Sequence, residues 1–266
     1  MLRKRIESGK TMVALGATDA LSARLIEAHG FDCVYIGSYA TAASRFGLPD
    51  TGLLSLDELV DQAKSIVDAV KIPVVADAEG GFHDAANIWR TVEAFERAGV
   101  AAIHIEDHSG AGKHTSAAQS LRPRGEVASR IRAAVDARKN ADFLIVARSD
   151  AYWVSRDLDE CIARLNAYAD AGADMVFPSA VGPAELGEVR RRIGKPLMII
   201  DMPGHNLEQH CPASIVLYYA FSTLVQFEAL STALDNFKSG QRPGGQQALE
   251  DFIGYKSFAE RAAKYK

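Results

Sequence analysis

Short apolar segments and amphipathic segments alternate along the chain, and this alternation predicts its secondary structure. The apolar segments are bounded by Gly, Pro or polar residues, which is typical of buried strands. In the segments between them, apolar residues recur three and four positions apart, as expected for helices that bury one face. The predicted strands cover residues 13–16, 33–38, 74–79, 102–107, 143–150, 175–180, 197–201 and 214–219.

The helical segments carry their own start and stop signals. Ser55 and Glu58 form a capping-box pattern at the start of one helix. Several other helices are predicted to end at a glycine, which readily adopts the left-handed conformation that follows a helix. The predicted helices cover residues 19–30, 55–70, 85–99, 124–138, 157–172, 183–194, 221–237 and 246–265.

The order of these elements predicts a (β/α)8 TIM barrel. Similar helix–glycine–strand sequences occur at residues 29–36, 98–105 and 171–178. A repeat of this kind joins parallel strands through crossover helices, and eight such units are typical of a closed barrel. We therefore predict one barrel domain spanning residues 1–266. Residues 221–266 contain more helix than barrel closure requires, so we expect a C-terminal helical extension that contacts the barrel or a neighbouring subunit.

The composition is consistent with a single soluble domain and narrows the possible partners. The chain has 266 residues, of which 48% are hydrophobic, enough for one barrel core. A net charge of −4 without a basic cluster argues against nucleic acid. Cys33, Cys161 and Cys211 lack the spacing of a metal site and are predicted to be reduced. No apolar run reaches the ~20 residues of a membrane span and no secretory signal is present, so we predict a cytoplasmic protein.

Carboxylate side chains follow three of the predicted strands. Asp77 and Glu79 close one strand, Glu106 closes the next, and Asp50 follows an earlier one. Alternate residues of a strand share a face, which predicts that Asp77 and Glu79 lie side by side. The carboxyl ends of parallel barrel strands converge on one site. This convergence favours a site for Mg²⁺, or another hard divalent cation such as Mn²⁺, over incidental solvated acids.

Arg148 ends another predicted strand and places a cation near the same end of the barrel. An arginine in this position can clamp a carboxylate or phosphate group of a ligand. The alternative is a buried ion pair with Asp150 or Glu106. After the second strand, small residues around Gly37 and Ser38 would let backbone N–H groups approach an anionic ligand.

The longest loop beside the predicted carboxylates covers residues 107–124 and is rich in Gly, Ser and Ala. Lys113 and His114 lie at its centre. A polar loop at the mouth of a barrel is a candidate lid that excludes water. His114 titrates near neutral pH and could act as a general acid or base. The alternative is a solvated loop without a catalytic role.

Six short motifs occur in order along the chain: YIGS (35–38), GLPD (47–50), DAE (77–79), HIED (104–107), ARSD (147–150) and FP (177–178). This series, within residues 10–230, resembles the isocitrate lyase / phosphoenolpyruvate mutase superfamily, and especially its methylisocitrate-lyase-like branch. The resemblance implies a barrel whose eighth helix is exchanged between subunits, usually in a homotetramer. It also implies a small carboxylate substrate, a 2-oxo or 2-hydroxy acid, that forms a metal-stabilised enolate.

The resemblance further implies roles for individual residues. Mg²⁺, or Mn²⁺, would be held directly by Asp77 and through water by three other acids. The cation, an arginine and a set of backbone amides would hold the substrate. The implied metal ligands are Asp77, Glu79, Glu106 and Asp50, and the implied substrate-binding residues are Tyr35, Gly37, Ser38, Tyr39 and Arg148.

The chain departs from the lyases of this superfamily at several positions. His114 stands where they carry the cysteine that protonates the departing carbanion, Glu79 replaces an aspartate, and Ser179 replaces a glutamate. We predict a Mg-dependent carbon–carbon lyase of a small 2-oxo or 2-hydroxy dicarboxylate, with Arg148, His114 and Lys113 as catalytic residues. Oxaloacetate decarboxylation and cleavage of an alkylmalate or methylisocitrate both stay open. The alternatives are a phosphonopyruvate-type mutase or hydrolase and a non-catalytic metabolite-binding barrel.

Overall fold

Eight parallel strands form one sheet in the computed structural model, which describes residues 2–109, 113, 120–201, 205–207 and 213–265. The strands are β1 (Met12–Gly16), β2 (Cys33–Ile36), β3 (Val74–Asp77), β4 (Ala102–Glu106), β5 (Leu144–Ser149), β6 (Met175–Pro178), β7 (Met198–Ile200) and β8 (Ile215–Tyr218). Their order is β6-β5-β4-β3-β2-β1-β8-β7, and a bridge between Val176 and Leu197 joins the two ends of the sheet. The predicted (β/α)8 TIM barrel is therefore confirmed.

Helices connect the successive strands from β1 to β7. The side chains of Asp19 and Ser55 accept hydrogen bonds from backbone N–H groups three residues further on and cap the helices that follow them. A π-helical segment, Ala42–Phe46, continues the third helix. The helices are α1 (Leu2–Glu7), α2 (Ala20–Ala28), α3 (Ser38–Thr41), α4 (Leu56–Val67), α5 (Trp89–Ala98), α6 (Arg124–Ala137), α7 (Ala151–Ser155), α8 (Leu158–Asp170), α9 (Pro183–Arg192), α10 (Phe221–Lys238), α11 (Gln246–Ile253) and α12 (Tyr255–Ala263).

The strands bury both of their faces, which explains their nearly continuous apolar sequences. Successive residues alternate between two cores: Val75 packs with the side chains inside the barrel, and Val74 packs in the layer between strands and helices. Leu2 of α1 joins the inner core with Met12 at the start of β1, so the N-terminal helix closes that end of the barrel. These two close-packed layers hold the opposite strand ends, where the candidate site lies, in fixed positions.

The structure corrects the predicted secondary structure at three places. β3 ends at Asp77 and Glu79 has a left-handed backbone conformation (φ +50°), so the prediction that a strand places both acids on one face is wrong. The predicted helix 246–265 is interrupted at Gly254 (φ +98°), which separates α11 from α12. The short helices α1, α3 and α7 are not among the predicted elements, because helices of this length show no full amphipathic repeat.

The chain folds into two compact units, residues 1–223 and residues 224–266. The first unit contains the whole barrel. The second contains most of α10 with α11 and α12, and its Phe227, Leu230 and Phe258 are 73%, 62% and 65% exposed. The single domain with a helical extension, and the exchange of a helix between subunits, stay predictions. Within the described ranges, no helix combines the length and the hydropathy that crossing a membrane requires.

Candidate metal and substrate site

Three buried carboxylates meet at the C-terminal ends of β3 and β4, and we call Asp77, Glu79 and Glu106 the acid group. Asp77 is the last residue of β3 and Glu106 the last of β4. Glu79 lies in the turn after β3, where a positive φ is costly for a residue other than glycine. Ligand oxygens from the three side chains all lie within 4.8 Å of one another. The structure thus brings these predicted ligands together, although a turn positions Glu79.

Ser38 links Asp50 to the acid group. Its Oγ lies 2.9 Å from Oδ2 of Asp77 and 3.1 Å from Oδ2 of Asp50, and its backbone N–H donates to Asp77 at 3.3 Å. The chain can approach this closely because position 37 is a glycine. A Cβ at Gly37 would lie 2.7 Å from Cε1 of Tyr35, which is closer than carbon atoms can pack. Asp50 is therefore buried beside the acid group, as its predicted role requires.

The acid group fits a divalent cation. Burial, together with the negative charge of Asp77, raises the pKa of Glu79 to about 8. Burial alone would raise the pKa of Asp77 as well, but His104, Lys113 and Arg148 hold it below its ordinary value. Oε1 of Glu79 has no hydrogen-bond partner in the part of the chain that the structure describes. Buried carboxylates require positive charge, and a set of oxygen ligands favours Mg²⁺ or Mn²⁺.

Lys113 places its ammonium group against these carboxylates. Nζ lies 2.5 Å from Oε2 of Glu79, 3.0 Å from Oε1 of Glu106 and 3.8 Å from Oδ2 of Asp50. The residue is 1% exposed, so it is not a solvated loop residue. Burial disfavours the charged amine, but the surrounding carboxylates outweigh burial and raise the pKa of Lys113 well above its ordinary value. Its loop neighbour His114, the predicted general acid, lies outside the described residues.

Arg148 reaches the acid group from β5. Its Nη1 lies 3.3 Å from Oε2 of Glu106, and its Nε donates to Oδ1 of Asp150 at 2.8 Å. Arg148 therefore contacts both of the ion-pair partners that the sequence suggested, Asp150 and Glu106. It also lines a cavity at the site. Its Cζ lies 5.2 Å from the centroid of the Phe177 ring. Two fixed contacts and an aromatic ring orient the guanidinium, as a ligand clamp requires.

A buried pair, Tyr35 and His104, lies beside Asp77 of the acid group. Oη of Tyr35 is 2.8 Å from Nε2 of His104, and Nδ1 of His104 is 3.7 Å from Oδ1 of Asp77. Burial lowers the pKa of His104 to about 4, and burial with the charge of Asp77 raises the pKa of Tyr35. The phenol therefore keeps its proton. The histidine tautomer with its proton on Nδ1 would let Tyr35 donate to Nε2 and would direct the Nδ1 proton toward Asp77.

Asp107 follows Glu106 directly but belongs to a different group of contacts. Its carboxylate accepts hydrogen bonds from Oγ of Ser149 and from the backbone N–H of Asp150, both at 2.8 Å, and from the hydroxyl of Tyr168 at 3.0 Å. Burial raises the pKa of Asp107. Adjacent strand residues point to opposite faces, so Asp107 supports the turn after β5 and Glu106 faces the site.

A cavity of about 440 Å³ reaches Asp77 of the acid group, and a second cavity of about 230 Å³ reaches Glu79, Glu106 and Lys113. The larger one, which we call the cavity, is lined at its buried end by predicted site residues and at its exposed end by α7 and the loops after β6, β7 and β8. Two lining residues other than glycine, Arg156 and Ala180, have left-handed backbone conformations (φ +58° and +59°). The predicted residues that line the cavity are Tyr35, Gly37, Ser38, Tyr39, Asp50, Asp77 and Arg148.

Several cavity residues have no role in the sequence-based predictions. Trp153 and Arg156 lie on or directly after α7, and Tyr219 lies after β8, where its ring meets that of Tyr39 edge to face at 5.5 Å between centroids. His205 lines the cavity as well. The sequence contained one indication that Trp153 and Arg156 contribute to the site. Both lie in the connection that follows a barrel strand, and connections of this kind form the active sites of barrels.

A barrel with acids and an arginine at the C-terminal ends of its strands has the arrangement of a TIM-barrel active site. The chain belongs to the phosphoenolpyruvate phosphomutase family, whose sequence model matches residues 2–221. The superfamily that the six motifs predict is therefore confirmed.

Two relatives with assigned activities and one solved structure are similar to this chain. The 2,3-dimethylmalate lyase of Eubacterium barkeri is 41% identical over 194 residues, which are 72% of this chain and 67% of the relative. The 2-methylisocitrate lyase of Salmonella typhimurium is 41% identical over 180 residues, 66% of this chain and 60% of the relative. The match therefore spans no more than about two thirds of the relatives' own length.

The solved structure is that of a phosphoenolpyruvate phosphomutase from Streptomyces platensis subsp. rosaceus. It superposes with a TM-score of 0.92 at 31% identity and covers 99% of this chain and 98% of its own. The similarity therefore extends over both compact units of the chain.

Proposed function

We propose that this protein is a carbon–carbon lyase that depends on Mg²⁺ or Mn²⁺ and cleaves a small 2-oxo or 2-hydroxy dicarboxylate through an enolate. The observation that carries this proposal is the buried acid group beside Arg148, with Asp77 and Arg148 both lining one open cavity. The two relatives are both named lyases, one of 2,3-dimethylmalate and one of 2-methylisocitrate, which supports the same class of bond cleavage.

The proposed ligands of the cation are the acid group and Asp50, with Asp77 bound directly and the others through water. When bound, the cation would supply the positive charge that favours an enolate. Arg148 holds a substrate carboxylate in a defined orientation, because Asp150 and Glu106 fix its guanidinium. The proposed binding surface for that carboxylate comprises Tyr35, Gly37, Ser38, Tyr39 and Arg148.

Proton transfer is the step that separates the two versions of this proposal. Cleavage of an alkylmalate or methylisocitrate gives a 2-oxo acid and the enolate carbanion of the departing acid, and we propose that His114, with Lys113 beside the acid group, protonates that carbanion. Decarboxylation of oxaloacetate gives CO₂ and pyruvate enolate, which can take its proton from water and needs no positioned acid. Lys113 keeps its proton in its carboxylate surroundings, so its contribution is positive charge toward the acid group.

A second candidate function is rearrangement or hydrolysis of a phosphonopyruvate-type compound. The observation in its favour is the 31% identity to a phosphoenolpyruvate phosphomutase over nearly the whole chain. The same cation site and the same arginine would serve an anionic phosphonate, because both recognise negatively charged oxygens.

Turnover assays with a panel of substrates test the proposal. The purified protein is assayed with oxaloacetate, alkylmalates, 2-methylisocitrate and phosphonopyruvate, with Mg²⁺, after chelation, and after restoring Mg²⁺ or Mn²⁺. We expect turnover of a dicarboxylate, loss on chelation and recovery with either cation. Asp77→Asn should abolish turnover, and Asp142→Asn, at an exposed position outside the cavity, should leave it unchanged.

The other outcomes contradict the lyase. Turnover of phosphonopyruvate alone would identify the second candidate function. Binding of the dicarboxylates without any turnover would indicate a metabolite-binding barrel. Activity that persists after complete chelation would contradict the role of the acid group.

We also propose that the protein is a homotetramer in which the eighth barrel helix is exchanged between subunits. The exposed Phe227, Leu230 and Phe258 support an interface, since apolar side chains of this size are rarely left to solvent in such numbers. Sedimentation equilibrium tests it, with Leu230→Glu expected to lower the mass of the assembly. A monomer at micromolar concentration would contradict this part of the proposal.

A further inference from the structure

The cavity extends beyond the groups that the proposed reaction needs. Its buried end holds Asp77 and Arg148, and its lining continues to Trp153, Arg156 and Gly182. A volume of about 440 Å³ is large for a ligand confined to the reacting atoms. The exposed end of the cavity is therefore available to a distal part of the substrate.

Arg156 supplies a second cation at this exposed end. Its Cζ lies 5.4 Å from the centroid of the Tyr152 ring, which is the geometry of a cation–π contact. The hydroxyl of Tyr152 donates to Oε1 of Glu185 at 3.0 Å, so the ring beneath the guanidinium is anchored. Among the described residues, no ion pair within 4.0 Å involves Arg156, although its charge acts on the nearby carboxylate of Glu185. The guanidinium therefore keeps donors for an anionic ligand.

The backbone conformation at position 156 indicates that the arginine side chain has a function there. Arg156 follows α7 as its C-cap, with φ +58° and ψ +19°. Glycine adopts this left-handed conformation at lower cost, and glycine or asparagine is the usual residue after a helix. Residues held in such conformations gather at binding sites and active sites. An arginine at this position makes the folded state less stable than a glycine would. Because Arg156 lines the cavity, a role in ligand binding explains why an arginine is present there.

We infer that Arg156 determines substrate specificity by binding the second carboxylate of a dicarboxylate whose first carboxylate lies at Arg148. The inference rests on the proposed function and deepens it. A guanidinium presents two parallel N–H donors that match the two oxygens of a carboxylate. Trp153, Val181 and Ile200 give the same cavity apolar surface, against which the carbon chain of the substrate can pack.

Matched pairs of acids test this assignment by calorimetry in the presence of Mg²⁺. One pair is malate and 2-hydroxybutyrate, the other 2-oxoglutarate and 2-oxovalerate, and the members of a pair differ in the distal carboxylate. The protein variants are Arg156→Gly, Arg156→Lys and, as a control on the exposed face of α5, Arg97→Gln. Because glycine suits the backbone at this position, Arg156→Gly should fold at least as stably as the wild type, which a melting temperature checks.

We expect the wild type to prefer the diacid of each pair. Arg156→Gly should weaken diacid binding by about tenfold or more and leave monoacid binding within about twofold, as expected for loss of a hydrogen-bonded charge pair. The diacid affinity of Arg156→Lys should lie between those of the wild type and Arg156→Gly, and the affinities of Arg97→Gln should match those of the wild type. An equal loss for both members of a pair, or none for the diacid, overturns the inference.

The same data separate this inference from the proposed function. A wild type that cleaves a dicarboxylate but binds both members of each pair equally overturns the role of Arg156 and leaves the lyase standing. A wild type that prefers diacids through Arg156 but turns over no acid supports the role of Arg156 and contradicts the lyase.

Discussion

Nζ of Lys113 lies 2.5 Å from Oε2 of Glu79, inside the group of carboxylates that is proposed to bind a divalent cation. The same ammonium group lies 3.0 Å from Oε1 of Glu106 and 3.8 Å from Oδ2 of Asp50. With Asp77, and with Asp150 that pairs with Arg148, five carboxylates share this region with two basic side chains, Lys113 and Arg148. The carboxylates outnumber the bases, which favours binding of a cation as well. Lys113 and the cation would therefore each neutralise part of the negative charge of the carboxylates.

Replacing Lys113 by methionine should tighten Mg²⁺ binding and lower kcat. The substitution removes a positive charge beside the ligands, and a like charge at this distance changes the binding of a cation by about tenfold or more. Calorimetric titration with Mg²⁺ measures the affinity. Lys139→Met, at a side chain that is 75% exposed, is the matched control and should leave affinity and kcat unchanged. Weaker Mg²⁺ binding in Lys113→Met would mean that the lysine orders the carboxylates and does not compete with the cation.

Ser38→Ala should weaken the cation site without removing a ligand. The hydroxyl of Ser38 lies within 3.1 Å of carboxylate oxygens of both Asp50 and Asp77, so it orients two proposed ligands at once. Loss of a contact that orients metal ligands typically lowers metal affinity by about 10–100-fold. Titration with Mg²⁺ checks the value, and Ser129→Ala on the outer face of α6 is the control. An unchanged affinity would show that the ligands are positioned by their strands alone.

His104 should make the metal-free protein lose stability as the pH falls from about 6.5 to about 4. Burial lowers the pKa of His104 from 6.5 to about 4, so the unfolded chain takes up a proton in this range while the folded chain does not. The unfolded state is then favoured by up to about 1.4 kcal/mol for each pH unit. Urea unfolding at fixed protein concentration and a series of pH values measures the slope of the unfolding free energy against pH. His104→Gln should reduce the slope between these pH values, and an equal slope in the variant would assign the loss to other groups.

The sequence allows the strand ends to be predicted but not the turns that complete the site. Asp77 and Glu106 end buried strands, and the periodicity of a parallel barrel brings such ends together. Glu79 reaches the same group through a left-handed turn that no periodicity describes. The prediction that Glu79 lies beside Asp77 therefore holds for a different geometric reason, because a carboxylate can reach the same point from a strand or from a turn.

The burial of Lys113, which was among the predicted catalytic residues, and the position of Arg156 show why the remainder could not be predicted. Lys113 lies in a polar loop sequence, yet it is buried among carboxylates, and this long-range pairing leaves no local signal. Arg156 follows a five-residue helix that is too short for an amphipathic pattern. In both cases the position of the side chain depends on contacts between distant parts of the chain.

His114→Ala should distinguish the two versions of the proposed reaction. If His114 protonates the departing carbanion, kcat for cleavage of an alkylmalate should fall by about 10²–10⁴, the usual effect of a positioned acid. The decline of kcat at alkaline pH should flatten in the same variant, because His114 no longer loses a proton. His114→Cys should restore part of the rate and shift that decline upward, since a thiol has the higher ordinary pKa. Decarboxylation of oxaloacetate should be unaffected, and a full rate on every substrate would leave His114 without a catalytic role.

Gly37→Ala should disturb the site through Tyr35 without changing any charged residue. The added Cβ would lie 2.7 Å from Cε1 of Tyr35, and this ring cannot easily move, because its hydroxyl is 2.8 Å from Nε2 of His104 in a buried pair. Overpacking of this kind costs about 1–3 kcal/mol, so the free energy of unfolding should fall by that amount. Displacement of Tyr35 should also release His104 from its position facing Asp77 and weaken Mg²⁺ binding.

Gly125→Ala is the matched control for this substitution. A Cβ at Gly125 meets no atom within 4 Å, and the position lies in α6, where alanine is more stable than glycine by up to about 1 kcal/mol. We therefore expect the two glycine-to-alanine changes to have opposite signs in urea unfolding, and only Gly37→Ala to change the affinity for Mg²⁺. If Gly37→Ala folds as stably as the wild type and binds Mg²⁺ equally well, the ring of Tyr35 has room to move, and its contact with His104 does not hold the site in place.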